Sequence, residues 1–89
     1  MTALLVTVEI SVHDRRVWRL SQWIDAGAIC FGASIPIDRG TRVRLRFQLP
    51  GGTSVDTEGE LVDEHEIALN PAPPERQAIE AYLMEQAEP

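Results

Sequence analysis

The sequence predicts a mainly β protein, a small six-stranded antiparallel barrel closed on one side by a C-terminal α-helix. Three observations predict it. Two runs, 4–12 and 41–49, alternate strictly between apolar and polar residues, the period-two pattern of a half-buried strand. Shorter apolar runs between them are bounded by turn residues at close spacing, as in small barrels. Only one stretch, after the Pro-rich connection at 70–74, carries apolar residues at helical spacing.

The first strand is expected over Leu4–Val12, with Leu4, Val6, Val8, Ile10 and Val12 on one face and Leu5, Thr7, Glu9 and Ser11 on the other. His13-Asp14-Arg15-Arg16 reads as a polar turn, and Val17 to Ile24 as the strand that returns from it. Asp25-Ala26-Gly27 breaks the run. Ala28 to Phe31 is a short strand of small and apolar residues, expected to be buried on both faces with Cys30 in the core. A connection through Pro36 and Gly40 follows.

Thr41 to Leu49 places Thr41, Val43, Leu45, Phe47 and Leu49 inward and Arg42, Arg44, Arg46 and Gln48 outward. Pro50-Gly51-Gly52-Thr53 is a turn, and Val55 to Val62 is its return strand. Facing residues of an antiparallel pair share a face, so Val55, Thr57, Gly59 and Leu61 point inward. With Leu49 opposite Thr53, Arg46 meets Asp56, Arg44 meets Glu58 and Arg42 meets Glu60. Opposite charges across a hairpin stabilise the sheet and neutralise the basic stripe, which argues against a nucleic-acid-binding face. Ile67-Ala68-Leu69 is the last strand. The helix is expected over about 74–86, begun by Pro74 and Glu75 and carrying a narrow stripe of Ile79, Tyr82 and Leu83.

The chain of 89 residues has room for one domain, 1–89, with the barrel over about 4–70. Its net charge of -6 repels nucleic acid and anionic membranes. No run approaches the roughly 18 apolar residues of a membrane helix, and the apolar N-terminus lacks the basic start of a signal peptide. A single cysteine excludes an intrachain disulfide and a cysteine metal cluster. A cytoplasmic protein without membrane insertion, DNA or RNA is therefore expected.

Enzymatic chemistry finds little support. His13 and His65 lie beside acids and outside any metal-ligand or nucleophile motif, and read as exposed turn residues. Gly27, Gly51 and Gly52 are turn glycines, because no strand-glycine-helix sequence surrounds them to cradle a phosphate. No catalytic residue, metal or cofactor is assigned. The concentrated chemistry lies instead in Arg15, Arg16 and Arg19, crowded beside Trp18 and Trp23. All eight cationic residues are Arg, whose planar fork suits phosphate and guanine edges.

The order of elements in IDAGAICFGASIPIDRGTRVRLRFQLPGGTSVDTEGELVD, ending in IALNPAPPERQAIEAYL, resembles the PilZ domain family of bacterial cyclic di-GMP receptors over residues 4 to 84. The resemblance implies a PilZ-like barrel and a ligand site of two parts: an RxxxR arm ahead of the first barrel strand, and a (D/N)xSxxG motif after it. Arg15 and Arg19 have the spacing of the arm but follow the strand that the arm should precede, and only Met1, Thr2 and Ala3 stand before it. With Gly27 as the motif's glycine, Ile24 stands where serine belongs and Gln22 where the acid or amide belongs. Ser21 and Asp25 fit only with an insertion or a deletion.

The resemblance therefore implies the barrel more strongly than the ligand site. The leading expectation is a non-enzymatic signalling or adaptor module in a cyclic di-GMP or motility pathway, acting on another protein, with Trp18 and Trp23 as interface anchors if exposed. On a regular strand their parity differs, so at most one should face inward. A second expectation is a cyclic di-GMP receptor using Arg15, Arg16 and Arg19, with Ser21, Asp25 and Gly27. A third is an unrelated small barrel serving as a structural subunit or homodimer, with the first strand as a pairing edge.

Overall fold

The computed structural model describes residues 1–87; residues 88 and 89, counted in the single domain expected over 1–89, lie outside the described residues. The chain forms β1 (Thr2–Ala3), β2 (Thr7–Val12), β3 (Arg15–Ile24), β4 (Ala28–Phe31), β5 (Arg42–Gln48), β6 (Ser54–Asp63), β7 (Glu66–Asn70) and α1 (Pro73–Ala87). Neighbouring strands follow the order β3-β2-β5-β6-β7-β4, all antiparallel, and β4 pairs back on β3 to close a six-stranded barrel. β1 is an additional short strand that pairs with the end of β3.

The first expected strand is thus divided. Ala3 faces Trp23 and Thr7 faces Leu20, so the three residues 4–6 oppose the two residues 21–22. That extra residue is a bulge. Ser21, fully buried, fills it: its hydroxyl donates to the Leu4 carbonyl and accepts from the Val6 N–H at 3.1 Å. Leu4 consequently stays in the core while Leu5 is thrust outward, 70 % exposed.

The β2–β3 reversal needs only His13 and Asp14, with His13 in the left-handed region at φ 51°. Arg15 and Arg16, expected in the turn, are therefore the first two residues of β3. The β5–β6 register is the expected one, with Arg46 facing Asp56, Arg44 facing Glu58 and Arg42 facing Glu60. The glycine at 59 has a packing reason. A Cβ there would lie 2.8 Å from the Ala68 carbonyl oxygen and 2.7 Å from Ile67 Cγ2, so β6 and β7 pack closely only because the side chain is absent.

β4 departs from expectation. Ile29 and Phe31 are buried, but Ala28 and Cys30 lie half-buried on the outer face, because β4 alternates like its neighbours. The core draws on every strand from β2 to β7, with Ile10, Ile24, Ile29, Leu45, Leu61 and Ile67 among its most enclosed side chains. α1 covers one side of it. Ile79 and Tyr82 are buried, Leu83 packs against them, and the Tyr82 hydroxyl donates to the Ala3 carbonyl at 3.1 Å. No helix among the described residues is long and apolar enough to cross a membrane.

Candidate functional site

β3 carries almost every residue singled out from the sequence. Its first half pairs with β2 on one side only, because β4 joins the other side from Ser21 onward. Beside the open edge runs the β4–β5 connection. Arg19 fastens it there: Nε donates to the Ser34 carbonyl at 2.9 Å, and Nη1 donates to the Trp18 carbonyl at 2.8 Å. Arg15 Nη2 lies 3.4 Å from the Pro36 carbonyl. The RxxxR spacing thus places two guanidinium groups along one loop, which presents carbonyl oxygens to both. Between these ties, Ile35 is buried in the core.

The remaining nucleotide-binding candidates are not brought to these arginines. Arg16 lies on the outer face, registered against Ser11. Ser21 is enclosed in the β1–β2 bulge with its hydroxyl bonded to backbone. Asp25 and Gly27 form the tight turn after β3, where Asp25 Oδ1 accepts the Gly27 N–H at 2.8 Å and the Gly27 carbonyl accepts from Leu69 N at 2.9 Å. That turn and Arg15 lie at opposite ends of β3, about 30 Å apart at the usual rise per residue.

Trp18 and Trp23 lie on the same outer face. The pairing of β3 with β4 slips between Ser21 and Trp23, so the inward positions run Val17, Ser21 and then Ile24. The slip reverses the parity expected of a regular strand, and neither tryptophan enters the core. Trp18 is 53 % exposed and Trp23 45 %, with Leu20 between them at 56 %. Leu5 adds to this face from the bulge opposite. Sequence reading put Leu5 on the outer face, but nothing local distinguished Leu20 from a core residue.

The neighbouring outer surface is charged and internally paired. Arg44 Nε lies 2.7 Å from Asp56 and its Nη1 3.6 Å from Glu58, while Arg46 stands between Asp56 at 3.8 Å and Glu9 at 4.0 Å. The tightest pair is therefore diagonal rather than directly across. These contacts are exposed and each contributes about 0–1 kcal/mol.

On the other flank of Trp23 the charge is negative. Trp23 faces Cys30 on β4, Cys30 faces Glu66 on β7, and Glu66 faces Asp63 on β6. Burial, and then the carboxylates of Glu66, Asp25 and Asp63, push the Cys30 thiol up from its ordinary pKa. His65, in the β6–β7 turn, lies 3.3 Å from Glu64 and 3.3 Å from the Phe31 carbonyl. His13 occupies the first hairpin turn. Among the described residues, no group of His, Cys, Asp and Glu converges to hold a metal ion.

Compared by sequence, the chain matches no protein-family model and no curated protein. Compared by structure, it is similar to the Bacillus subtilis inhibitor of motility, MotI/DgrA, with a TM-score of 0.70 and 21 % identity. The match covers 94 % of this chain and 47 % of that one, so the chain spans about half the length of the structure it resembles. At that identity the likeness is one of fold.

Proposed function

We propose that the chain is a non-enzymatic, PilZ-like adaptor module of a bacterial motility or cyclic di-GMP pathway, working in the cytoplasm by binding another protein through the outer face of β3. The observation that carries this reading is the exposure of Trp18, Leu20 and Trp23 along one strand, with Leu5 beside them. Tryptophans partly exposed among apolar neighbours are the usual anchors of protein interfaces. The fold shared with a motility inhibitor favours the pathway, although a fold alone hosts many functions. No cofactor enters this reading. Binding cyclic di-GMP through Arg15 and Arg19 would require both side chains to leave the carbonyls of Pro36 and Ser34.

Photo-crosslinking in the native bacterium tests the proposal. A photoreactive residue at position 18 or 20 should capture one discrete partner, whereas one at the exposed helix position 80 should not. Trp23→Ala should abolish the capture and the associated change in swimming. Equal capture from all three positions, or none from 18 and 20, would overturn the reading.

A further inference from the structure

The adaptor reading names a face but not the chemistry of what binds it. The surroundings of Trp23 supply that chemistry. The ladder from β3 through β4 and β7 to β6 sets Trp23, Cys30, Glu66 and Asp63 in one row across the barrel's outer surface. With neighbouring strands about 4.8 Å apart, Glu66 stands roughly 10 Å from the Trp23 backbone. Asp25 lies two residues beyond Trp23, in the turn that leads to β4.

Among the described residues, none of these three carboxylates has an ion-pair partner. The ion pairs among the described residues are those of Arg44 and Arg46 with Asp56, Glu58 and Glu9, together with His65 and Glu64. None involves Asp25, Asp63 or Glu66. Arg15 and Arg19 are turned to the β4–β5 connection. Asp25 and Asp63 each accept one backbone N–H through Oδ1, a turn contact that leaves the carboxylate charge uncompensated. Arg44 and Arg46, on β5, are thus already paired, Arg16 stands near the far end of β3 from Trp23, and Asp25, Asp63 and Glu66 lie on the β4 side of the apolar strip.

We infer that the segment bound by this face is apolar and basic, laying its apolar side chains on Leu20 and Trp23 and its arginine or lysine cations beside Asp25, Asp63 and Glu66. The inference rests on the adaptor reading and sharpens it. A cation over the face of an indole ring and beside carboxylates gains from both. The net charge of -6 attracts such a segment from a distance. An acidic segment would meet uncompensated repulsion.

The test is an NMR titration of the full chain with a short synthetic peptide of alternating leucine and arginine, and with its leucine–glutamate counterpart. The arginine peptide should shift the Trp23 indole signal and the amides of Cys30 and Glu66. Binding should weaken as salt rises, and weaken about tenfold in the conservative double variant Asp25→Asn, Glu66→Gln. The salt series needs no variant and stands even if that protein folds poorly.

Equal shifts from both peptides would overturn the inference of a basic partner while leaving an apolar docking face. Shifts confined to the β5–β6 acids, or none at all, would also overturn it. The adaptor reading is then judged separately, by capture from position 18. A chain that dimerises through the same face without peptide would overturn it as well.

Discussion

Arg19 donates through Nε to the Ser34 carbonyl at 2.9 Å, and the same guanidinium donates through Nη1 to the carbonyl of its own neighbour, Trp18, at 2.8 Å. One side chain thus joins the open edge of β3 to the loop beside it. Its tie holds the segment whose Ile35 enters the core and whose Ile35 N–H donates to the Glu64 backbone carbonyl at 2.7 Å.

Replacing Arg19 with alanine should therefore loosen the loop. Charge-assisted bonds to backbone suggest a loss of about 1–2 kcal/mol, discounted for exposure. Urea denaturation should read that loss, and hydrogen exchange at the Ile35 amide should quicken. Unchanged exchange would show that the arginine does not hold the loop.

Ser21→Ala should cost more than a surface serine. The hydroxyl is fully buried and serves the Leu4 carbonyl and the Val6 N–H in the bulge. Removing it leaves Val6 N–H without that acceptor, at about 1–3 kcal/mol. The measurement is the shift of the urea midpoint with an unchanged slope.

Much of the barrel was legible because its signals are local. The alternation from Thr41 to Leu49 and the Pro50-Gly51-Gly52 turn fix which residues face one another, and the structure reproduces Arg42, Arg44 and Arg46 opposite Glu60, Glu58 and Asp56. The helix stripe of Ile79, Tyr82 and Leu83 was equally readable from its spacing. The disposition of the tryptophans was not. Their common outward direction depends on a register slip between Ser21 and Trp23, set by β4, and no period-two count along β3 contains it. Nor did local pattern show that Arg15 and Arg19 meet the carbonyls of a loop 21 and 15 residues later, respectively. Such contacts are made by chain closure, which composition and spacing do not encode.

Gly59→Ala tests the close approach of β6 and β7. Its methyl group would stand 2.8 Å from the Ala68 carbonyl oxygen and 2.9 Å from Leu45 Cδ1, and backbone yields less readily than a side-chain tip. Overpacking of this kind costs about 1–3 kcal/mol. A variant as stable as the parent in urea would mean that the two strands have room to part.

Cys30 should be slow to alkylate. Its pKa is raised, so below the ordinary thiol pKa the group is protonated in both folded and unfolded chains and costs nothing. As pH rises beyond that point the unfolded chain loses its proton first, and stability falls until the folded thiol ionises too. Alkylation of the native protein should trail that of the urea-unfolded protein at mildly alkaline pH. Equal rates would contradict the burial and the surrounding carboxylates.

The central claim is that the arginines of β3 hold a loop while its apolar outer face meets a protein. Calorimetric titration of the purified chain with cyclic di-GMP tests it most directly. The account predicts no saturable heat. Saturable binding at micromolar concentration or tighter, lost in Arg15→Ala and Arg19→Ala variants that remain folded, would contradict it.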